Sequence, residues 1–148
     1  MLSINSVLEN KPIEITEVGL DKVLEIRREV MWPDKPISFV EVSGDSEAVH
    51  LGLFENGTVV SVISLFIENE RAQFRKFATL TSFQRKGYGT TLLQYVFEYL
   101  KSKQIKRVTC NARVEKADFY ASFGMKRTPN TFEKEQVAYV VMEKILKT

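Results

Sequence analysis

The most informative part of the sequence is FATLTSFQRKGYGT, residues 77–90. Its apolar beginning predicts a strand, and the strand runs into a turn that contains Gly87 and Gly89 and opens a helix. Both glycines permit positive φ and let a ligand approach the backbone closely. Backbone N–H groups and partial positive charge gather at a helix N-terminus, where phosphate groups bind. The pattern therefore indicates a phosphate-binding turn, to which Arg85 and Lys86 add positive charge.

The glycine turn on its own is not specific, because a tight strand-to-helix connection without a ligand uses the same residue types. Two nucleotide-binding patterns do not fit it. A Walker-type loop needs Gly-x4-Gly-Lys-Ser/Thr, and that spacing does not occur in the sequence. A dinucleotide fingerprint needs a third glycine, and Leu92 stands at that position.

Apolar periodicity divides the chain into strands and helices. We expect strands at 13–18, 49–54, 58–67, 72–80, 107–112 and 137–142, with a further short one near 125–128. Helices are expected at 20–31, 90–103 and 116–123, joined in part by an irregular or partly helical connection at 37–47. Asn56-Gly57 between two apolar runs is typical of a β-hairpin turn. This order predicts one α/β (α+β) domain, residues 1–148, with a single mixed, mostly antiparallel sheet and flanking helices.

Composition and charge restrict the class of protein. The chain has 148 residues, 44% of them hydrophobic, and a formal net charge of +2. That charge is too small to indicate a nucleic-acid partner. The single cysteine, Cys110, cannot form an internal disulfide. Neither a signal peptide nor a bilayer-spanning run is recognisable, so we expect a cytoplasmic protein without membrane attachment. No His/Cys or carboxylate cluster has metal-ligand spacing, so no metal is expected.

Two signatures in the chain resemble those of the GCN5-related N-acetyltransferase (GNAT) superfamily. The first is Gln84-Arg-Lys-Gly-Tyr-Gly89, which matches the pattern Gln/Arg-x-x-Gly-x-Gly/Ala. The second is Asn111-Ala, followed by the run Ala117-Asp-Phe-Tyr-Ala-Ser-Phe-Gly-Met125. Their order and the strand and helix between them also match, and the resemblance extends from near Ala48 to Lys144.

The resemblance implies acetyl-CoA as the co-substrate and assigns residues to it. Backbone groups of one strand segment would pair with the pantetheine arm like an added strand: Phe77, Ala78 and Thr79. The signature loop would hold the pyrophosphate, chiefly through backbone N–H groups: Gln84, Arg85, Lys86, Gly87, Tyr88, Gly89 and Thr90. Asn111 would contact the cofactor from the next strand, and Phe119 would pack beside the arm.

The chemistry implied by the resemblance is direct attack of a neutral amine on the thioester carbonyl. A backbone N–H of Thr79 or its neighbour would stabilise the oxyanion. The leaving thiolate then needs a proton, and a free thiol has a pKa of about 8.5 and tyrosine about 10. Tyr120 would lie near the sulfur and is the candidate general acid. The acceptor would be a small-molecule or peptide amine, and members of such families often form homodimers.

The sequence departs from the family pattern in three places. Thr81 stands where many members have proline, and Met125 replaces a usual phenylalanine. The run Gln136-Val-Ala-Tyr-Val-Val-Met142 replaces a Gly-Ile-Pro-His-like run found in several similar members. The last difference leaves the acceptor open, and lysine side chains, peptide N-termini, small amines and aminoglycosides all stay candidates.

Other polar residues have structural interpretations that we favour. His50 lies on a predicted strand, where satisfied packing is expected rather than catalysis, and Cys110 is expected to be a small core residue. Arg27 and Arg28 are expected on a solvated helix face, with Trp32 filling a local gap, although acceptor recognition is an alternative.

Glu68 and Glu70 are further candidate general bases, and we expect them to be solvated surface residues instead. No base is required if the acceptor amine arrives neutral.

Three rival functions use the same residues. A protein of this fold could hold acyl-CoA without turnover, a nucleotide binder could use the same loop, or the glycines could be purely structural in an interaction protein. Binding of CoA, competition by ATP and turnover of an amine would distinguish them.

Overall fold

A computed structural model describes residues 13–147. The N-terminal residues, where a signal peptide would lie, are outside this range. The strands are β1 (Ile13–Glu17), β2 (Val49–Glu55), β3 (Thr58–Glu68), β4 (Arg71–Thr79), β5 (Arg107–Arg113), β6 (Lys126–Lys134) and β7 (Val137–Ile145). The helices are α1 (Leu20–Met31), α2 (Tyr88–Ser102) and α3 (Ala117–Ala121).

All seven strands form one mixed sheet in the order β1-β2-β3-β4-β5-β7-β6. β1 pairs antiparallel with β2, and β5 and β6 pair antiparallel with β7. β4 and β5 run parallel, with Arg71–Gln73 opposite Arg107–Thr109, whereas β4 itself continues to Thr79. The prediction of a single mixed, mostly antiparallel sheet with flanking helices is confirmed.

The hairpin between β2 and β3 forms as the Asn-Gly pair predicts. Asn56 has a φ of 50° and Gly57 a φ of 85°, the positive values that a type I′ turn requires at both central positions. The long apolar run of β3 that follows is almost entirely buried. The turn therefore sets the register of the two strands that lead to β4.

β6 is the largest difference from the expected elements, because only a short strand near 125–128 was predicted. Its side chains are nearly all exposed, and its register with β7 shifts between Arg127 and Thr131. A strand without a buried face has no apolar alternation to detect. The turn after it also lacks glycine, since Glu135 and Gln136 adopt φ values of 53° and 68°.

The described residues divide into two compact groups, a first unit of residues 13–64 and 76–93 and a second unit of residues 65–75 and 94–147. In the first unit, one face of α1 packs on strand residues around the end of β4. The buried members of this cluster are Val23, Ile26, Val59, Val62 and Ala78, and Met31 and Leu80 pack against them. The core of the second unit includes Phe74, whose ring centroid lies 6.4 Å from that of Phe97.

Arg27 overturns the expectation of a solvated arginine face, because its side chain is completely buried. It follows Val23 by one helical turn and therefore belongs to the apolar stripe of α1. Its Nη1 and Nη2 donate to Oδ2 and Oδ1 of Asp45, each at 2.9 Å, and Nη1 also donates to the Val40 carbonyl at 2.9 Å. Arg28, its neighbour, is exposed as expected. The bidentate pair ties α1 to the connection at 37–47, which contains two short 3₁₀ turns.

His50 and Ser64 extend this buried network. His50 Nε2 lies 2.9 Å from the Asp45 carbonyl, which can only accept, so Nε2 carries the proton. Nδ1 lies 2.7 Å from the Ser64 hydroxyl, and Ser64 Oγ also accepts from Arg27 at 2.9 Å. Both ring nitrogens of His50 are therefore engaged, and the expectation of a satisfied packing residue is confirmed.

The carboxyl of Asp45 is kept ionised by its partners. Burial alone would raise the pKa of Asp45, but the hydrogen bonds from Arg27 and the Val42 N–H lower it below its usual value. The network therefore contains a guanidinium and a carboxylate that are charged at neutral pH.

Candidate functional site

The strand-turn-helix predicted for residues 77–90 is present in the first unit. β4 ends at Thr79, the Leu80 N–H donates to the Val60 carbonyl at 2.9 Å, and a 3₁₀ turn covers Thr81–Phe83. α2 begins at Tyr88, two residues before the predicted start. The last part of the signature, Tyr88 to Thr90, is thus the first turn of the helix.

The backbone of the signature loop depends on its glycines at two places. Gly87 has a φ of 86°, which L-residues rarely adopt, and Arg85 has a φ of 64° despite its side chain. Gly89 is favoured by close packing instead. A Cβ there would lie 3.3 Å from Cζ of Phe77 and 3.5 Å from Oγ1 of Thr79. Gly89 thereby joins the start of α2 to the end of β4.

Side-chain hydrogen bonds brace the end of β4. Gln84 Nε2 donates to the Thr79 carbonyl at 2.9 Å, which closes the turn between them. Ser61, buried on β3, lies 2.8 Å from the Thr79 hydroxyl and donates to the Ala78 carbonyl at 3.3 Å. Sequence reasoning missed Ser61, because a serine in an apolar strand carries no motif. The side chain of Gln84 therefore stabilises the conformation of the loop.

Tyr88 is bonded to the β2–β3 hairpin, since its hydroxyl donates to a carboxylate oxygen of Glu55. This hydrogen bond is the main cause that raises the pKa of Tyr88 above its ordinary value, with desolvation and the charge of Glu55 adding to it. The Tyr88 ring also lies 6.2 Å from that of Phe83, and the Lys86 ammonium lies 5.6 Å from the Phe83 ring centre. Glu55 was not among the residues that the sequence singled out.

The loop is accessible and favours negative ligands. Residues Gln84, Arg85, Lys86 and Gly87 are exposed, and the first turn of α2 carries no acidic side chain. The N–H groups at the start of a helix have no intrahelical acceptors, and the helix dipole adds partial positive charge there. This end of the first unit can therefore bind an anion such as a diphosphate.

The second unit contains the other predicted site residues. Asn111 lies on β5 with its side chain exposed, whereas Cys110 before it is buried, as alternation along a strand requires. Phe119 and Tyr120 lie on α3 with their ring centroids 5.1 Å apart, and the Tyr120 ring lies 5.8 Å from that of Phe74. Phe119 is about one third exposed, at 36%.

Two groups in the second unit hold their protons firmly. Burial, together with the nearby Cys110, raises the pKa of Tyr120 well above its usual value, so the phenol is neutral at physiological pH. Burial raises the pKa of the Cys110 thiol to about 12. Cys110 is therefore a protonated core residue, which confirms its expected structural role and argues against a nucleophile.

Within residues 13–147, no group of three or more His, Cys, Asp or Glu side chains has the arrangement of a metal site. In the same part of the chain, no helix has the length and apolar character needed to cross a membrane.

Comparisons with known proteins point to one family. The model of the acetyltransferase (GNAT) domain family matches residues 31–146. An uncharacterized N-acetyltransferase, YitI of Bacillus subtilis (strain 168), is 27% identical, and the match covers 92% of this chain and 98% of that protein.

Solved structures share the fold. Ard1 from Thermoplasma volcanium superposes with a TM-score of 0.77 at 15% identity, over 93% of this chain and all of that one. A GNAT family acetyltransferase from Elizabethkingia anophelis with acetyl-CoA bound gives a TM-score of 0.72 at 15% identity, over 92% of this chain and 99% of that one.

Proposed function

Because the chain belongs to the GNAT acetyltransferase family, we propose that it transfers an acetyl or other short acyl group from acyl-CoA to a primary amine by direct attack. The observation that carries the proposal is the close packing of Gly89 against Phe77 and Thr79 at the exposed start of α2. It holds the signature loop at the end of β4 with its N–H groups available to an anion.

The pyrophosphate of acetyl-CoA is assigned to this loop. The N–H groups from Arg85 to Thr90 would donate to its oxygens, and the side chains of Arg85 and Lys86 would add charge. Gln84 would contribute by closing the turn through its bond to the Thr79 carbonyl. The solved relative with acetyl-CoA bound supports the choice of ligand.

The pantetheine arm is assigned to the backbone of Phe77, Ala78 and Thr79. The paired residues of β4 and β5 run only from Arg71 to Gln73. This supports the proposal that the backbone later in β4 pairs with a ligand that lies beside it like an added strand. The N–H of Thr79 or its neighbour would donate to the carbonyl oxygen as negative charge develops there.

Tyr120 is proposed as the proton donor. The amine nitrogen forms a bond to the acyl carbon, the carbon–sulfur bond breaks, and the thiolate takes the phenolic proton. The raised pKa of Tyr120 keeps that proton in place at neutral pH, although it also makes the phenol a weaker acid. The surplus proton on the amine passes to solvent, and the phenol is reprotonated from solvent.

Asn111 and Phe119 are proposed to contact the cofactor, as in the family pattern that they match. The acceptor is proposed to be an amine, because the family acts by N-acetyl transfer. Both small-molecule and peptide amines stay candidates, because the chain segments that differ most among members carry no motif here. The alternative function is a non-catalytic acyl-CoA-binding module of the same fold.

Turnover of acetyl-CoA with a panel of amines tests this proposal, with released CoA thiol as the readout. The panel should contain small polyamines, peptide N-termini, lysine peptides and an aminoglycoside. Tyr120→Phe should lower kcat by about 10- to 100-fold, at or below the usual range for a general acid. Tyr139→Phe, which keeps the ring stacked on Phe132, is the matched control and should not change it.

One outcome would contradict the enzyme, and another would contradict only the role of Tyr120. Binding of acetyl-CoA without turnover of any amine favours the non-catalytic module. Unchanged turnover in Tyr120→Phe removes this residue as the proton donor and leaves the binding assignments to be tested separately.

A further inference from the structure

We propose that Glu55 and Tyr88 form a positioning pair that orders the loop Gln84–Thr90 for its ligand. The identity of that ligand as acyl-CoA rests on the proposed function, whereas the ordering of the loop does not. Nothing in the family signature requires either side chain, because Tyr88 occupies a variable position and Glu55 lies outside the signature.

Tyr88 lies at the point where the loop most needs an anchor. It stands between Gly87 and Gly89, which have no side chains and lose the most backbone freedom on ordering. Gly87 also adopts a left-handed φ of 86°. The phenol of Tyr88 is thus the one side chain of this three-residue stretch that can fasten it to another element.

Glu55 is a fixed partner for that anchor. It ends β2, where it is opposite Ile13 in the antiparallel register with β1, and the tight Asn56-Gly57 turn follows it. The strand pairing and the turn fix the backbone that carries the carboxylate, and a hydrogen bond to a charged acceptor is stronger than one between neutral groups. The hydrogen bond of Tyr88 therefore attaches the start of α2 to the hairpin.

The Tyr88 ring also contacts the aromatic ring on which a lysine of the loop lies. It lies 6.2 Å from the Phe83 ring, and the Lys86 ammonium lies 5.6 Å from the centre of that same ring. Movement of Tyr88 would therefore disturb the surface on which Lys86 rests. The pair orders both the N–H groups of the loop and one of its cations.

The charge of Glu55 makes the inference testable against a purely electrostatic one. A carboxylate near an anion-binding loop repels a diphosphate, so its removal alone should tighten binding. If the pair positions the loop, removal should weaken binding instead. The sign of the change in Glu55→Ala separates the two accounts.

Amide hydrogen exchange tests the ordering without any ligand. Tyr88→Phe and Glu55→Ala should accelerate exchange in peptides that cover residues 84–90, and leave the C-terminal half of α2 unchanged. Tyr95→Phe, an exposed tyrosine on the same helix, is the matched control. Exchange in the loop that matches the wild type in both variants would overturn the proposal.

Calorimetry and kinetics with acetyl-CoA test the consequence. Tyr88→Phe and Glu55→Ala should each raise Kd and KM by about three- to tenfold, the loss expected for one net hydrogen bond, with kcat unchanged. The double variant should bind no more weakly than the weaker single variant, and Glu55→Gln, which keeps an acceptor oxygen, should restore binding. Additive losses, or tighter binding by Glu55→Ala, would overturn the positioning role.

Failure of the proposed function is distinguishable from failure of this inference. A wild-type protein that does not bind acetyl-CoA contradicts the function, while the exchange experiment still decides the ordering of the loop. A wild-type protein that binds, together with variants that bind equally well, contradicts the inference alone.

Discussion

Two irregular segments of the first unit are held in opposite ways. The loop Gln84–Thr90 is exposed over its first four residues, and it is braced by hydrogen bonds from Gln84 to the Thr79 carbonyl and from Tyr88 to Glu55. The connection at 37–47 is held by a buried guanidinium–carboxylate pair, Arg27 with Asp45. The first arrangement leaves a surface accessible to a ligand, whereas the second fastens a segment to the core.

The difference explains which segment can be recognised in the sequence. The loop depends on residue types that lie next to one another, so a glycine pattern reveals it. The buried network depends on pairs that are far apart in sequence, since Arg27 bonds Asp45 across 18 residues and Ser64 across 37. A charged residue that pairs over such separations looks like a solvated one until the chain is folded.

The largest expected effect is on the buried pair. Arg27→Leu should lower the free energy of unfolding by about 3–5 kcal/mol, because the carboxylate of Asp45 is left buried without its cation. Denaturant unfolding measures the change. Arg28→Leu, at the exposed neighbouring position, should change it by no more than about 0.5 kcal/mol. Equal effects of the two substitutions would show that the pair does not hold the connection.

The second largest effect is expected from acid, which should lower the stability that the Arg27–Asp45 pair contributes. The lowered pKa of Asp45 means that its contribution to stability is complete above the unfolded value of about 3.9, and is lost as the pH falls through the folded value. The free energy of unfolding should therefore change little between pH 7 and about pH 5, and fall between about pH 4 and about pH 2. The double variant Arg27→Met/Asp45→Leu should lose less over that range, and an equal loss would contradict the assignment.

The smallest expected effect concerns the loop. Gln84→Ala should leave global stability within about 0.5 kcal/mol, because the residue is exposed, yet raise the Kd for acetyl-CoA by about two- to tenfold through loss of one hydrogen bond. Titration calorimetry and thermal unfolding measure both. Gln94→Ala, exposed on α2, is the control and should change neither. A loss of stability in Gln84→Ala without weaker binding of acetyl-CoA would show that Gln84 serves the fold and not the ligand.

Much of the fold could be predicted because its signals are local. α1 occupies the predicted residues, the Asn56-Gly57 hairpin forms, and the central strands lie within one or two residues of their expected bounds at most ends. β6 could not be predicted in full, since its exposed edge carries no apolar alternation and its turn with β7 uses Glu135 and Gln136 in place of glycine.

The residues of the candidate site also differ in whether the sequence alone reveals them. The motif residues around Gly87 and Gly89 were identified from the sequence, and their assignment to acetyl-CoA stays a prediction. Ser61 and Glu55 were missed, because each acts through a contact with a distant segment that no local pattern records. Residues that support a site from other strands can be found only once the strands are placed.

Titration of the wild type and of Gly89→Trp with acetyl-CoA tests whether the cofactor binds at the loop Gln84–Thr90. Gly19→Trp is the matched control, because a Cβ at Gly19 meets nothing within 4 Å, and thermal unfolding shows whether each variant is folded. We expect saturable binding by the wild type and by Gly19→Trp, and its loss in a folded Gly89→Trp. No binding by the wild type, or undiminished binding by Gly89→Trp, would contradict the assignment of the cofactor to this loop.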